Sequence, residues 1–396
     1  MSNLSGLRNS ELLRNPLAFA IAGAAIGIVA WSGHVAALPL SLGLMALLRP
    51  AATFLNRLFL TTSYFAGAMW PILPGSSIFY GNDFEPLHTV RNWIAVSILL
   101  ALPWALLTGS SLKRLAWSVP LCLIVESVPP FAVIGLANPL VSAGALFPHA
   151  GWFGLILTLL LATFVAIRPL PAVAAVAALS IIAPFIPQPN PVPGWQGIDT
   201  NYGGAGVDSP DAIKIYSVAE NIQQTALDSN AQVIVFPESV VYRWTPTTDL
   251  FWKRTLDTLK AQGKTIVVGA MTDLPGDRYY LNVAVVRGDT HGVIAQRIPV
   301  PIAMWKPFTH DGSGTLLNIF GRTTASIHGQ RAAIVICYEQ LLVWPMIRSF
   351  MDRPTVLIGM ANDFWARDTN FDRIQAATLQ SWSRLFNTPV VSAVNR

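Results

Sequence analysis

Cys337 is the residue in this sequence that is best placed to act as a nucleophile. It ends an apolar run, 331-RAAIVIC-337, that is typical of a buried strand, and a helical stretch follows it. A strand-to-helix turn presents backbone N–H groups that favour a thiolate and an oxyanion. The position alone leaves a second interpretation open, in which Cys337 is a buried and inert thiol. Cys122, the other cysteine, lies within an apolar segment, so the two are not expected to pair.

Two more residues could form a reaction centre together with this thiol. Glu238 stands at the end of an apolar strand in 235-VFPES-239, a position suited to a general base. Lys306, in 304-MWKPF-308, is the only lysine after Lys264. Acyl transfer through a thioester requires such a set, because the base removes the thiol proton and the cation stabilises the oxyanion. The alternative for Lys306 is a side chain that extends its ammonium group to a membrane surface.

The elements that must position these residues lie after residue 195. Apolar runs of strand length alternate there with helical stretches, which predicts an α/β layered domain over 195–396. In such domains functional residues collect where strands end and loops begin. The predicted helices cover 212–229, 248–262, 340–351 and 370–386, and the predicted strands cover 232–236, 264–270, 280–287, 292–297, 331–337, 354–360 and 389–394.

The first half of the chain has a different composition. The whole sequence is 53% hydrophobic and 12% charged, with a mean hydropathy of +0.48. Through Gln188 it holds 8 Lys or Arg and 4 Asp or Glu, against 18 and 17 from Trp195 onward. Because a helix that crosses a bilayer needs roughly 20 apolar residues, we expect a membrane domain of about seven transmembrane helices over 1–190. The candidate spans are 16–32, 34–48, 58–73, 92–110, 115–137, 151–167 and 170–187.

The basic residues of the short connections predict an orientation in the membrane. One set of connections carries nearly all of them, and the opposite set carries only Arg91. This bias predicts a cytoplasmic N-terminus and a periplasmic C-terminal domain, in a bacterial inner membrane. Glu126, in the fifth candidate span, is either a functional carboxylate or a group bonded to a neighbouring helix. The biased set comprises Arg8, Arg14, Arg49, Arg57, Lys113, Arg114 and Arg168.

Four motifs together resemble one enzyme superfamily. They are FPES at 236–239, CYE at 337–339, ANDFW at 361–365 and the strand within 384-RLFNTPVVSAVN-395. The combination resembles the nitrilase, or carbon–nitrogen hydrolase, superfamily. Within it, the apolar first half makes the chain similar to the apolipoprotein N-acyltransferases, in which membrane helices carry a periplasmic nitrilase domain. A more distant similarity is to the TraB proteins of Ti-type conjugative plasmids.

The resemblance implies a fold of stacked α-β-β-α layers and a set of functional residues. Its departures lie in the lysine loop, where 296-QRIPVP-301 places Gln296 or Arg297 at the expected lysine, and His310 or Asp311 would replace the final Glu of that loop. The family also continues past the strand that ends this sequence, which predicts a shortened domain or an incomplete chain. The implied catalytic residues are Glu238, Lys306 and Cys337, with Arg297 as the alternative cation, Glu339 as accessory acid, and Asn362 and Trp365 lining the cleft.

Three functions are compatible with these observations. The first is a membrane-bound acyltransferase that moves an acyl chain from a phospholipid, through a Cys337 thioester, to an amine of an exported lipoprotein or pilus component. The second is a nitrilase-type amidase with water as acceptor. The third is a non-catalytic membrane component of a conjugation or secretion apparatus.

Other classes of ligand are not indicated. The six histidines are scattered without metal-ligand spacing, so we predict no metal site, and no cofactor motif is present. No stripe of Arg and Lys with interleaved aromatic residues points to nucleic acid.

Overall fold

The computed structural model describes residues 15–204, 211–274, 279–306 and 314–396. The chain divides into two compact units. One contains the residues through Gln188 together with Leu342–Trp344 and Asp368–Asn387, and the other contains Pro189–Leu341, Pro345–Arg367 and Thr388–Arg396. A helix that the sequence places between two strands, over 371–386, therefore belongs to the first unit.

The first unit is built from short helices. Several begin at a residue suited to an N-cap or with proline in the first turn, such as Asn15 before the first helix. The helices are α1 Pro16–Ala30, α2 Gly43–Leu48, α3 Phe54–Ala68, α4 Ile72–Tyr80, α5 Pro86–Leu107, α6 Leu112–Ser127, α7 Ala143–Leu146, α8 Gly151–Ile167 and α9 Pro169–Ile182, with 3-10 helical segments at Val35–Leu42 and Pro139–Ser142.

The prediction of about seven transmembrane helices is wrong. Among the described residues, only α5 is long and apolar enough to cross a bilayer, and a second span exists only if Pro139–Leu146 and Gly151–Ile167, bent by 120°, form one. Core helices of soluble proteins pass the same test, so one or two such helices are weak evidence of a membrane domain.

The physical reason for the error is helix length. A helix rises about 1.5 Å per residue, and a bilayer core is about 30 Å thick. The apolar run at 16–32 is helical for 15 residues in α1, and α3, α8 and α9 have 15, 17 and 14 residues. Average apolarity along the sequence does not show where a helix stops.

Glu126 lies in the first unit, near the end of α6. Its side chain is buried, and Oε1 accepts a hydrogen bond of 2.5 Å from Nε1 of Trp104 on α5. Glu126 is thus bonded to a neighbouring helix, as the second of the two interpretations of the sequence expected.

The second unit contains two β-sheets and helices packed against one of them. The predicted α/β alternation agrees with the elements observed, and the boundaries agree to within a few residues. The strands are β1 Trp195–Gly197, β2 Val233–Val235, β3 Val241–Arg243, β4 Thr265–Asp273, β5 Tyr279–Gly288, β6 Gly292–Ala295, β7 Gly314–Thr315, β8 Thr324–Ile327, β9 Gln330–Ile336, β10 Val356–Asn362 and β11 Val390–Asn395. The helices are α10 Ala212–Asp228, α11 Pro246–Ala261 and α12 Val343–Met351, and α13 is the Phe371–Phe386 helix of the first unit.

The first sheet has the strand order β1-β2-β4-β5-β6, with β3 paired to β4 and β7 paired to β5. The second sheet has the order β11-β10-β9-β8, in which β9, β10 and β11 run parallel. Successive residues of β2 point to opposite faces of the first sheet. Val233 and Val235 face the second sheet, where Ile334 and Ile358 meet them, whereas Ile234 faces helices α10 and α11.

This packing determines where the candidate site lies. Because β9, β10 and β11 are parallel, their carboxyl ends meet at one edge of the second sheet. The residues at these ends are Cys337, Asn362 and Asn395. Sheet-on-sheet packing brings the end of β2, and with it Glu238, to the same place, as the hydrogen bond between Glu238 and Asn362 shows.

Candidate functional site

Cys337 occupies a strained turn between β9 and a 3-10 segment, Cys337–Leu341. Its φ of +51° is in the left-handed region, which a residue with a Cβ adopts at a cost. Strain of this kind persists where the surroundings impose it, and a nucleophile on a sharp strand-to-helix turn is a known case. The turn directs the buried thiol to the edge of the sheet, toward Glu238.

Glu238 is held by donors on three sides. Its Oε1 accepts a hydrogen bond of 2.5 Å from Nδ2 of Asn282, and its Oε2 accepts one of 2.9 Å from the backbone N–H of Asn362. The Cys337 thiol donates the third. Only 4% of Glu238 is exposed, so these partners replace water as its surroundings. The structure therefore brings Glu238, Cys337 and Asn362 into direct contact.

The Glu238 carboxyl and the Cys337 thiol hold their protons more tightly in this environment than they would in water. Burial raises the pKa of Glu238 to about 7, although the hydrogen bonds from Cys337, Asn282 and Asn362 act in the opposite direction. Burial also raises the pKa of the Cys337 thiol well above its ordinary value, and the negative charges of Glu238 and Asp363 add to this effect. A carboxylate that titrates near neutrality beside a neutral thiol is suited to general-base catalysis.

Glu339 has a different role from Glu238. Its Oε1 accepts hydrogen bonds from the backbone N–H and Nε of Arg297, at 2.7 and 3.0 Å, and its Oε2 accepts one of 3.0 Å from the N–H of Ile336. The guanidinium of Arg297 also donates to Pro345 and Ser349. Glu339 thus joins the segment after β6 to the turn that carries the thiol, and the charge of Arg297 is directed to Glu339. The use of Arg297 as the site cation, in place of Lys306, stays a prediction.

Two amide side chains that the sequence did not single out as site residues connect this region to Glu238. Gln296, which follows β6 and is one of the two residues at the expected lysine, donates from Nε2 to the carbonyl of Ile336 at 3.1 Å. Its Oε1 accepts a hydrogen bond of 3.0 Å from Nδ2 of Asn282 on β5. The signal that could have revealed Asn282 is a polar side chain within the otherwise apolar strand 280-YLNVAVVR-287.

Asn362 is oriented by Asn395, at the end of the adjacent strand. Nδ2 of Asn395 donates to Oδ1 of Asn362 at 2.7 Å and to the carbonyl of Gly203 at 2.9 Å. Oδ1 of Asn395 accepts hydrogen bonds from the hydroxyl of Thr200 and from the N–H of Tyr202. The loop 200–203 is therefore attached to the end of β11 beside the site.

Trp365 and Lys306 are the two remaining residues that the sequence predicted for the site. Trp365 lies in the 3-10 turn Phe364–Ala366 and is half-buried. Lys306 is also half-buried and precedes the undescribed segment 307–313, in which His310 and Asp311 lie. The role of Lys306 as the oxyanion cation stays a prediction.

The arrangement is suited to covalent acyl transfer. A thiol in hydrogen-bond contact with a carboxylate base has the two groups needed to attack a carbonyl carbon and to relocate the proton. Among the residues that the structure describes, no group of three or more His, Cys, Asp and Glu side chains is placed to hold a metal ion.

Comparison with known proteins places the chain in a family. No family model matches it. The conjugal transfer protein TraB of Agrobacterium fabrum is 30% identical over 392 residues, which cover 94% of this chain and 90% of that protein. The chain belongs to the TraB family of conjugal transfer proteins. A probable TraB protein of Sinorhizobium fredii is 28% identical, over 96% of this chain and 98% of its own length.

The solved structures to which the chain is similar include carbon–nitrogen hydrolases. One from Helicobacter pylori has a TM-score of 0.37 and 12% identity, and covers 50% of this chain and 73% of its own. A mutant amidase from Nesterenkonia, with an acetamide moiety on its active-site cysteine, has a TM-score of 0.28 and 9% identity, and covers 42% and 62%. At these scores the chemistry of this TraB-family chain is inferred from its own geometry.

Proposed function

We propose that this TraB-family chain forms an acyl thioester on Cys337 and transfers the acyl group to a second substrate. The observation that carries the proposal is the hydrogen bond between the thiol and Glu238, with both groups buried at the carboxyl ends of strands from two sheets. A structural thiol needs neither a base of pKa about 7 nor a strained turn.

The reaction follows from the positions of these groups. Glu238 accepts the proton from the thiol as sulfur attacks the carbonyl carbon of the donor. It then gives this proton to the leaving group, which departs and leaves the acyl group on Cys337. In the second half, Glu238 removes a proton from the acceptor, which attacks the thioester and restores the thiol. A cation or backbone N–H group would stabilise the oxyanion in both halves.

The proposal extends to the donor, the acceptor and the location. The names of the TraB relatives support a role in conjugal transfer. A phospholipid as donor and an amine of an exported lipoprotein or pilus component as acceptor would place the second unit on the periplasmic side of the inner membrane. The apolar helix α5 and exposed apolar side chains of the first unit, such as Phe153 and Leu170, support contact with a lipid surface.

A labelling experiment tests the thioester directly. Cells that express the full-length chain are fed an alkynyl palmitate, and the purified protein is coupled to a fluorophore before and after treatment with neutral hydroxylamine. We expect a label that hydroxylamine removes, that is absent in Cys337→Ala and that persists in Cys122→Ala. A label that survives in Cys337→Ala would contradict the assignment of the nucleophile.

One observation favours a second function, a non-catalytic component of the conjugation apparatus. A neutral amide, Gln296, is one of the two residues that stand where the resemblance expects a lysine, and the raised pKa of Cys337 keeps the thiol protonated at rest. Conjugation frequency separates the two functions. If the wild-type chain takes no label and Cys337→Ala donors transfer plasmid at the wild-type frequency, the second function is the correct one. If the label is lost to water without an amine acceptor, the chain is an amidase.

Lys306 provides a separate prediction about the oxyanion. If its ammonium stabilises the oxyanion, Lys306→Ala should slow acylation of Cys337 by about a hundredfold, as the loss of an oxyanion donor does. Lys306→Arg should restore little, because a planar fork does not reproduce a compact charge. The burst of nitrophenol from a p-nitrophenyl ester measures the rate. Lys253→Ala, at an exposed lysine of α11 paired with Asp257, is the control. A rate for Lys306→Ala within about twofold of this control would remove Lys306 from the site.

A further inference from the structure

Asn282 and Gln296 form a buried chain of amides between Glu238 and the turn of Cys337. Each is 1% exposed, and the backbone N–H of Gln296 donates to the carbonyl of Asn282 at 2.8 Å. The two hydrogens of Nδ2 of Asn282 serve Glu238 and Gln296, and Nε2 of Gln296 donates to the carbonyl of Ile336. Ile336 immediately precedes Cys337, so the chain begins at the base and ends beside the nucleophile.

The partners determine which way each amide is turned. The carbonyl of Ile336 can only accept a hydrogen bond, so Gln296 must present its nitrogen there and its oxygen to Asn282. Asn282 must then present its nitrogen to Gln296, and the same nitrogen faces the carboxylate of Glu238. Its oxygen accepts from the hydroxyl of Ser239 at 3.2 Å. The side-chain N and O atoms of both amides are thus hydrogen-bonded. The orientation of Glu238 therefore depends, through Asn282 and Gln296, on the carbonyl of Ile336.

We infer that Asn282 and Gln296 are positioning residues, which hold the Glu238 carboxylate against Cys337 in the state that accepts the thiol proton. The inference rests on the proposed thioester chemistry, because positioning a base has a consequence only if the base acts. Asn282 acts through its hydrogen bond to Glu238, and Gln296 acts through Asn282. A lysine at 296 would present only donors, and its ammonium could not accept from Asn282.

The direction of the effect follows from the charges around Glu238. The groups that face it are the Cys337 thiol, the amide of Asn282, the N–H of Asn362 and the carboxylate of Glu339, with Asp363 facing the thiol. The amide of Asn282 is a donor that favours the ionised base. Its removal should raise the pH at which Glu238 becomes a carboxylate, and loss of Gln296 should have a weaker effect of the same sign because Asn282 is then less firmly held.

Alkylation by iodoacetamide in a Cys122→Ala background reports this pH directly and needs no turnover. The sulfur bonds to the methylene carbon, iodide leaves, and the thiol proton passes to Glu238, so the rate follows the ionised fraction of the base. We expect Asn282→Leu to raise the midpoint of the rate profile by about one pH unit and Gln296→Met by about half of that. Gln375→Met is the matched control, because Gln375 is also a buried glutamine and lies on α13, which belongs to the first unit. Its midpoint should equal that of the background.

The outcomes distinguish this inference from the proposed function. Suppose that Glu238→Gln abolishes the pH midpoint of the alkylation rate while Asn282→Leu and Gln296→Met leave this midpoint unchanged. In that case the two amides are structural and only the inference fails. If Glu238→Gln itself leaves the profile unchanged, the base assignment fails and the proposed function fails with it. Should Asn282→Leu not fold, Asn282→Asp keeps the shape of the side chain and places a second carboxylate beside Glu238. A midpoint raised by less than half a unit in that variant would overturn the inference.

Discussion

Glu238→Gln is expected to slow acylation of Cys337 by about a thousandfold, the middle of the range for a general acid or base. The amide keeps the size of the side chain, but its single oxygen can accept from only one of Asn282 and Asn362, and it cannot take the thiol proton. The nitrophenol burst in the Cys122→Ala background measures the rate. Glu220→Gln, at an exposed position on α10, is the control. A loss of less than tenfold would show that water or another group removes the proton.

The same variant should gain stability relative to the wild type as the pH rises. Burial raises the pKa of Glu238 from 4.5 to about 7, so the folded state holds this proton more tightly than the unfolded state does. Stability from this group is present below pH 4.5 and is lost as pH rises through about 7. Glu238→Gln has no such loss, so its stability relative to the wild type should rise by at most about 3 kcal/mol between pH 4 and pH 8. Hydrogen exchange of β9 and β10 amides at pH 4 and pH 8, corrected for intrinsic rates, measures the difference. A difference in protection between the two proteins that stays the same from pH 4 to pH 8 would show that Glu238 is not held at a raised pKa.

The second large effect concerns the ion pair of Arg297 and Glu339. Their side chains are 2% and 1% exposed, and Nε of Arg297 lies 3.0 Å from Oε1 of Glu339. Arg297→Met would leave the Glu339 charge buried without its partner, which typically costs about 3–5 kcal/mol. The same exchange measurement on β9 should show this loss, and Cys337 should become more accessible to iodoacetamide.

A double variant separates the loss of the pair from the loss of arginine itself. Arg297→Met combined with Glu339→Gln removes both charges and keeps an oxygen that can accept from the N–H of Ile336. It should recover most of the stability, because a pair replaced as a whole leaves no buried charge. The exposed pair Lys253–Asp257 should show little effect when it is broken. If the double variant is as unstable as Arg297→Met, the contacts of the guanidinium with Pro345 and Ser349 matter more than its charge.

The local pattern of the sequence was sufficient for the α/β alternation of the second unit. Strands such as β9 and β10 are buried runs of branched apolar residues, and helix α10 has the three-to-four-residue spacing of one apolar face. Periodicity of this kind depends on neighbours along the chain, so it is readable without coordinates. For the same reason the sequence could place Glu238 and Cys337 at strand ends.

The same reading failed for the first unit because it depended on average composition. Apolar residues fill the candidate spans 16–32, 151–167 and 170–187, but the helices there end at Ala30, Ile167 and Ile182 after 15, 17 and 14 residues. A window of apolar residues has the same mean hydropathy whether one helix or two shorter ones cover it. Where a helix stops depends on caps, prolines and the packing of its neighbours, and an average contains none of these.

The sequence by itself determined the types of chemical group and the strand ends that carry them. Only the tertiary structure decided which groups touch. Glu238 and Asn362 are separated by 124 positions, and Arg297 and Glu339 by 42, yet each pair is in hydrogen-bond contact. Such pairs depend on the register of two packed sheets, which no local pattern encodes. Gln296 shows the same limit, because the contacts of this amide are visible only when Asn282 and Ile336 are beside it.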